Sequence, residues 1–201
     1  MMQGKIIAIL GIAGSGKTTL GKNLEKISGA TFLEENWKDI PFVSSVDGKQ
    51  SSNFEVCIGF LNMRYEQIHI AKKIKQSGKV VVIDTIFEMT DIYAKQMLKS
   101  FEYEEFKKVY DVFSKNISVP DEYVHLVGDI GTIQQRALAR NLGIDLEKTM
   151  LSIQSLEKSK SEIVKLLSEK EARKITEIDV VKHDIRNDKF LSELKDKLGI
   201  L

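Results

Sequence analysis

A single cysteine, Cys57, is all that this chain of 201 residues contains. That excludes an internal disulfide framework and a multi-cysteine metal site, and it suits a reducing compartment. Proline is almost as scarce: Pro41 and Pro120 are the only two, each placed where a loop meets a regular element. No Pro/Gly-rich linker, low-complexity tract or internal repeat divides the chain, so one domain over residues 1–201 is expected. No apolar run approaches the roughly 20 residues that a membrane-spanning helix needs. The opening segment does not read as a signal peptide, because Lys5 precedes a short apolar run that ends in glycines, not in a small-residue cleavage site. Charge of one sign is missing too. Thirty basic residues against 29 acidic ones leave a net charge of +1, which offers no global field to nucleic acid or to a membrane surface. The expected address is the cytoplasm.

What is present is a soluble, core-forming composition, 42% hydrophobic and 29% charged. Short apolar runs alternate with helical patterns. Lys5–Leu10 (KIIAIL), Ala30–Leu33, Lys79–Ile83 (KVVVI), Tyr123–Val127 (YVHLV) and Lys174–Val181 read as strands. Between them, helices are predicted over Thr18–Ile27, Asn53–Gln76, Asp91–Lys99, Tyr103–Asn116, Ile133–Arg140, Leu146–Leu167 and Asn187–Leu198, with a loop over Trp37–Gly48. In Asn53–Gln76 the apolar residues Phe54, Ile58, Leu61, Tyr65, Ile68 and Ala71 recur every three or four positions, the period of a helix face. Strands alternating with helices imply an α/β fold with a parallel sheet covered on both faces.

The first strand leads directly into Gly11-Ile12-Ala13-Gly14-Ser15-Gly16-Lys17-Thr18, which fits GxxxxGK[ST] without a mismatch, and a helix follows. Glycines such as Gly11, Gly14 and Gly16 let successive backbone N–H groups, with that of Ser15 among them, curl inward at phosphate oxygens. The helix N-terminus adds partial positive charge. Lys17 is a mobile point charge for the β- and γ-phosphates, and the Thr18 hydroxyl is a ligand for Mg²⁺. Thr19 either assists the loop or is a plain helix residue. No guanine-reading NKxD segment is visible, and the chain is short for an ATPase motor, so a small-molecule kinase using ATP and Mg²⁺ is the expected class.

Further along, Glu35-Asn36-Trp37-Lys38-Asp39-Ile40-Pro41-Phe42, Phe60-Leu61-Asn62-Met63-Arg64-Tyr65-Glu66-Gln67, Ile86-Phe87 with Ile92-Tyr93-Ala94-Lys95, Pro120-Asp121, Arg136 with Arg140, and Ile178-Asp179-Val180 with Asp184 follow one another in order. In that order and spacing the chain resembles the deoxynucleoside kinase family over nearly its whole length. The resemblance implies a three-layer P-loop fold with a five-stranded parallel sheet flanked by helices and a short lid at about residues 136–147. It also implies ATP and Mg²⁺, a nucleoside acceptor and a homodimer through the long helices. Glu35 would be the general base for the acceptor hydroxyl, with the adjacent Glu34 as an alternative. Arg136 and Arg140 would be lid arginines that stabilise the transferring phosphoryl group, a solvated helix face being the other reading. Asp184 would lie by the adenine of the donor.

The departures from that pattern fall on the substrate side. Where the family has a base-reading Gln, seven residues before the helix arginine, this chain has Cys57, a poor hydrogen-bonding group. The family's acidic-Arg-Ser triplet appears as Ile83-Asp84-Thr85, without an arginine, and Leu142 stands near the place of a third lid arginine. Asp84 is expected near Mg²⁺, with a helix N-cap as its alternative. Cys57, Phe60 and Arg64 share one helix face, where Phe60 would stack on a planar base and Arg64 hydrogen-bond to it. Trp37 is a substrate contact or loop packing; His69, His125 and His183 lack metal-ligand spacing and read as structural. Transfer to a nucleoside 5′-hydroxyl is the leading expectation. Another small acceptor such as a nucleoside monophosphate, or a non-catalytic ATP-sensing module, are the alternatives.

Overall fold

The computed structural model describes residues 4–40, 52–139, 152–170 and 173–200. Five parallel strands form one sheet in the order β2-β3-β1-β4-β5, with β1 Lys5–Leu10, β2 Thr31–Leu33, β3 Val80–Ile83, β4 Glu122–Val127 and β5 Lys174–Asp179. The central strand is flanked on both edges and covered on both faces, which is why Ile6 to Leu10 are all at most 1% exposed and the run is apolar without alternation. Its register pairs Ile7 with Val82 on one side and Ala8 with Tyr123 on the other.

Seven α-helices among the described residues clothe the sheet: α1 Lys17–Ser28, α2 Asn53–Gln76, α3 Met89–Met97, α4 Ser100–Ser114, α5 Ile130–Leu138, α6 Ile153–Ser168 and α7 Asp188–Lys197. Helix α1 packs with α7, whereas α2 packs with α3 and α4, and α6 with α3 and α5, so the helices form two groups about the sheet. This is the expected three-layer α/β architecture, and α2 has the predicted bounds. Its start is set by a capping box: Ser52 Oγ accepts from Glu55 N–H, and Glu55 Oε2 accepts from Ser52 N–H at 2.8 Å.

Differences from the sequence expectation have local causes. Helix α5 begins three residues before the predicted start because Asp129 Oδ2 accepts the Thr132 N–H at 2.8 Å and nucleates the turn there. Trp37–Asp39, predicted as loop, closes into a 3₁₀ turn. The long helix is described from Ile153, capped by Ser152; its predicted first turns, the rest of the Trp37–Gly48 loop, Pro41, Arg140, Leu142 and most of the lid lie outside the described residues. Strand order reverses at β1, and the crevice beyond the carboxyl end of such a strand is where open α/β sheets bind ligands. A second apolar cluster, Cys57, Leu61, Phe87, Ala94, Phe106 and Tyr110, lies under α2, α3 and α4.

Candidate active site

The phosphate loop occupies that crevice. Gly14 and Gly16 have φ of 84° and 98°, a region open to glycine and strained for other residues. Both sites are also crowded. A Cβ on Gly14 would sit 2.6 Å from Ala137 Cβ and 2.8 Å from Ile133 O of α5, and one on Gly16 2.7 Å from Ile185 Cδ1. Ser15 is 2% exposed and its hydroxyl has no hydrogen-bond partner among the described residues. A buried orphan hydroxyl costs free energy unless something completes it, and a phosphate oxygen at the N-terminus of α1 would do so. Lys17 Nζ lies over the loop, donating to Gly11 O at 3.0 Å and Ile12 O at 3.3 Å. The first turn of α1 carries no acidic residue that would repel an anion.

From Thr18 a chain of polar contacts crosses to α2. Thr18 Oγ1 donates to Asp84 Oδ2 at 2.9 Å, and the Glu35 backbone N–H donates to Asp84 Oδ1 at 2.8 Å. Asp84 is therefore tied to the phosphate loop and to the segment after β2, and it caps no helix: α3 starts at Met89, with Glu88 at the N-cap. Burial, and then the Glu35 carboxylate, push Asp84 up to about 6, against the opposing pull of the Thr18 hydroxyl and Lys17. A hydroxyl and a carboxylate 2.9 Å apart are hard oxygen donors that fit Mg²⁺. Among the described residues no group of three or more His, Cys, Asp or Glu could hold a metal ion alone.

The Glu35 carboxylate meets Arg64. Arg64 is 2% exposed on the buried face of α2; its Nε and Nη2 lie 2.7 and 2.5 Å from Glu35 Oε1, and its Nη1 donates to Thr90 Oγ1 at 3.0 Å. The rings of Phe60 and Tyr93 lie 5.1 and 5.4 Å from its guanidinium carbon. Gln67 Nε2 donates to Leu33 O at 2.7 Å and pins α2 to β2, so that the two ends of this pair stay in register. Glu34 turns the other way, to Lys22 Nζ at 2.7 Å near the surface. Trp37 donates its N–H to Glu35 O at 2.9 Å and is half-buried in its 3₁₀ turn. Cys57, by contrast, is 3% exposed within the second apolar cluster, where burial pushes its thiol up to about 12. The helix period groups Cys57, Phe60 and Arg64 on one face; the structure gathers Phe60 and Arg64 with Glu35 and puts Cys57 into the core beside them.

On the other side of the loop a cleft of about 480 Å³ is lined by Gly14, Gly16, Thr19, Arg136, His183 and Asp184, among others. Arg136 Nη1 donates to Val180 O at 3.2 Å. Asp184 is held below the usual carboxylate range by Arg186, which meets it with Nε at 2.9 Å and Nη2 at 3.2 Å. Arg186, on the cleft wall, is a residue that sequence reasoning missed; its only signal is its place two residues after Asp184. A larger cleft of about 750 Å³, between β2, the 3₁₀ turn and the far flank of α2, contains none of Lys17, Asp84, Glu35 or Arg64, so its size does not make it the site. His125 is buried and its pKa lowered by that burial, and His183, on the cleft wall, stacks on Phe190.

A parallel sheet in this strand order, a phosphate loop at the end of its central strand and two polar regions on either side of that loop define a P-loop nucleotide-binding protein of the kinase type. The chain belongs to the deoxynucleoside kinase family, whose model matches residues 7–198. It is 28% identical to a deoxyguanosine kinase of Bacillus subtilis over 136 residues, which are 65% of this chain and 64% of that one. It is 27% identical to a deoxyadenosine kinase of Dictyostelium discoideum over 161 residues, 77% of this chain and 64% of that one. The chain thus spans a little under two thirds of the length of these curated relatives. In fold it is similar to a structure of deoxyadenosine kinase from M. mycoides with the products dCMP and a flexible dCDP bound, with a TM-score of 0.75, 18% identity, and coverage of 98% of this chain and all of that one.

Proposed function

We propose that the chain, as one kinase domain over residues 1–201, transfers the γ-phosphoryl group of ATP to the 5′-hydroxyl of a nucleoside or deoxynucleoside. The observation that carries this reading is the hydrogen-bonded line from Thr18 through Asp84 to Glu35, which sets a carboxylate beside a phosphate loop. Phosphoryl transfer asks mainly for positioning and for charge neutralisation. The loop amides, Ser15 and Lys17 bind the β- and γ-phosphates. Glu35 accepts the proton of the attacking hydroxyl. Arg136, with Arg140 from the lid, neutralises charge on the transferring group. The cleft beside Asp184 takes the donor's base, and Phe60 and Trp37 line the acceptor region. Mg²⁺, held by Thr18 and Asp84, supplies further neutralisation of phosphate charge when bound. Cys57 shapes the acceptor wall from behind, without a polar contact to the base.

The names of the relatives support a deoxynucleoside acceptor, and the family resemblance supports a cytoplasmic homodimer. Phe101 and Val112, 65% and 62% exposed on α4, are apolar surface of the kind that such an interface covers. Purified protein should release ADP in the presence of Mg²⁺ with at least one of the four deoxynucleosides, and Lys17→Ala should abolish it. A signal confined to nucleoside monophosphates would move the acceptor class. ATP binding without transfer to any acceptor would replace the kinase by a sensor.

A further inference from the structure

We propose that Arg64 is a positioning residue for the Glu35 carboxylate and not a reader of the acceptor's base; the assignment rests on the kinase reading above. Every nitrogen of its guanidinium is already engaged by protein. Nε and Nη2 converge on Glu35 Oε1, and Nη1 is held by Thr90 Oγ1. The group is 2% exposed, and Phe60 and Tyr93 approach it with their rings. A guanidinium so enclosed cannot turn to a base edge without leaving Glu35, and either charge left unpaired in that setting would be strongly disfavoured. The pairing also answers a crowding problem. Glu35 donates its backbone N–H to Asp84 and stands near that second carboxylate, so a fixed cation on its far side is what lets two acidic groups share the site. The Ile83-Asp84-Thr85 segment offers no arginine, and the guanidinium beside Glu35 arrives from α2. Because both contacts fall on Oε1, the same pair fixes where Oε2 points, and that is the oxygen left to take the hydroxyl proton. Neither Arg64 nor Cys57, which lies in the apolar cluster, then offers a hydrogen bond to the base.

Steady-state kinetics of the full chain with Mg²⁺·ATP separate the two roles, using one purine and one pyrimidine deoxynucleoside that the wild type phosphorylates and the variants Arg64→Lys, Arg64→Met, Glu35→Gln and the double variant Glu35→Gln with Arg64→Met. A positioning residue predicts that Arg64→Met lowers kcat about 100-fold by the same factor on both acceptors, the size of effect expected when a catalytic group is misplaced by about 1 Å. It further predicts partial rescue by Arg64→Lys, and no further loss in the double variant beyond Glu35→Gln alone. ATP affinity should be unchanged in all four. A shift of about tenfold or more in the purine-to-pyrimidine ratio of kcat/KM, with kcat kept, would make Arg64 a base reader and overturn the assignment. Loss of ATP affinity alongside kcat would reduce it to a general fold contact and overturn it as well. A wild-type protein that phosphorylates none of the four deoxynucleosides would overturn the kinase reading, and this assignment with it.

Discussion

Substituting Asp84 by Asn should stabilise the unliganded protein at neutral pH, and the gain should disappear in acid. Asp84 is 3% exposed, and in the fold it titrates near 6 against an ordinary value of 3.8, because burial and the Glu35 carboxylate disfavour its charge. A raised carboxylate pKa means that the folded state binds the proton more tightly than the unfolded state. Stability is therefore lost as pH rises from about 4 through about 6, and the full cost is present above that. Raising a carboxyl pKa from 3.8 to about 6 corresponds to ~3 kcal/mol at pH 7.5. Asn keeps the acceptor for the Glu35 N–H and, through its amide, a partner for the Thr18 hydroxyl, so ~1 kcal/mol of imperfect hydrogen bonding is the main offset. The net gain of ~2 kcal/mol corresponds to a Tm rise of about 4–8 °C for a chain of this length. Thermal melts of both proteins at pH 4, 5, 6 and 7.5 test it, since groups common to both cancel in the difference. A difference that stays flat from pH 4 to 7.5 would refute the buried, electrostatically frustrated carboxylate. Added Mg²⁺·ATP should narrow the gap at pH 7.5, because a cation at Thr18 and Asp84 relieves in the wild type what Asn removes.

Other expectations follow from the same geometry. Gly14→Val should abolish ATP binding and lower Tm, because it combines φ of 84° with a Cβ 2.6 Å from Ala137 Cβ; equilibrium binding and melts check both. Leu24→Ala, at a fully buried position on α1, should cost about 2–5 kcal/mol in urea unfolding. Asn187→Ala removes the side-chain acceptor of the Phe190 N–H at the start of α7 and should cost about 1 kcal/mol, read in the same assay. With a thiol pushed up to about 12, Cys57 should resist iodoacetamide at pH 8 in the folded protein and react once it is unfolded, as mass spectrometry would show.

The parts of the site that are legible from sequence are those whose chemistry is local in the chain. Gly11 to Thr18 declares itself because the loop, its lysine and its hydroxyl are contiguous and need only a strand before and a helix after. The bounds of α2 are legible because periodicity and the helix agree over Asn53–Gln76. What escapes are pairings made across the fold. Glu35 and Arg64 lie 29 residues apart, and only the packing of α2 on the sheet, with Gln67 bonded to Leu33 O at the end of β2, brings them together. The helix period puts Cys57 and Arg64 on one face without saying that this face is divided between the site and a second apolar cluster. Asp84 could be a cap or a metal-side carboxylate on local grounds; the start of α3 at Met89 removes the cap, and the contact with Thr18 comes from 66 residues away. Glu34 and Glu35, adjacent in the chain, also take different partners across the fold, Lys22 for one and Arg64 for the other.

In the proposed reaction Glu35 and the phosphate loop cooperate to phosphorylate a nucleoside. Its most direct test is product identification: mass spectrometry of reactions containing Mg²⁺·ATP and a deoxynucleoside, run with the wild type and with Glu35→Gln, alongside ATP binding by both. A deoxynucleoside 5′-monophosphate is expected from the wild type, with a rate lower by about 10²–10⁴ in Glu35→Gln and equal ATP affinity. Formation of the monophosphate at an undiminished rate by Glu35→Gln, or its absence from the wild-type reaction despite bound ATP, would contradict it.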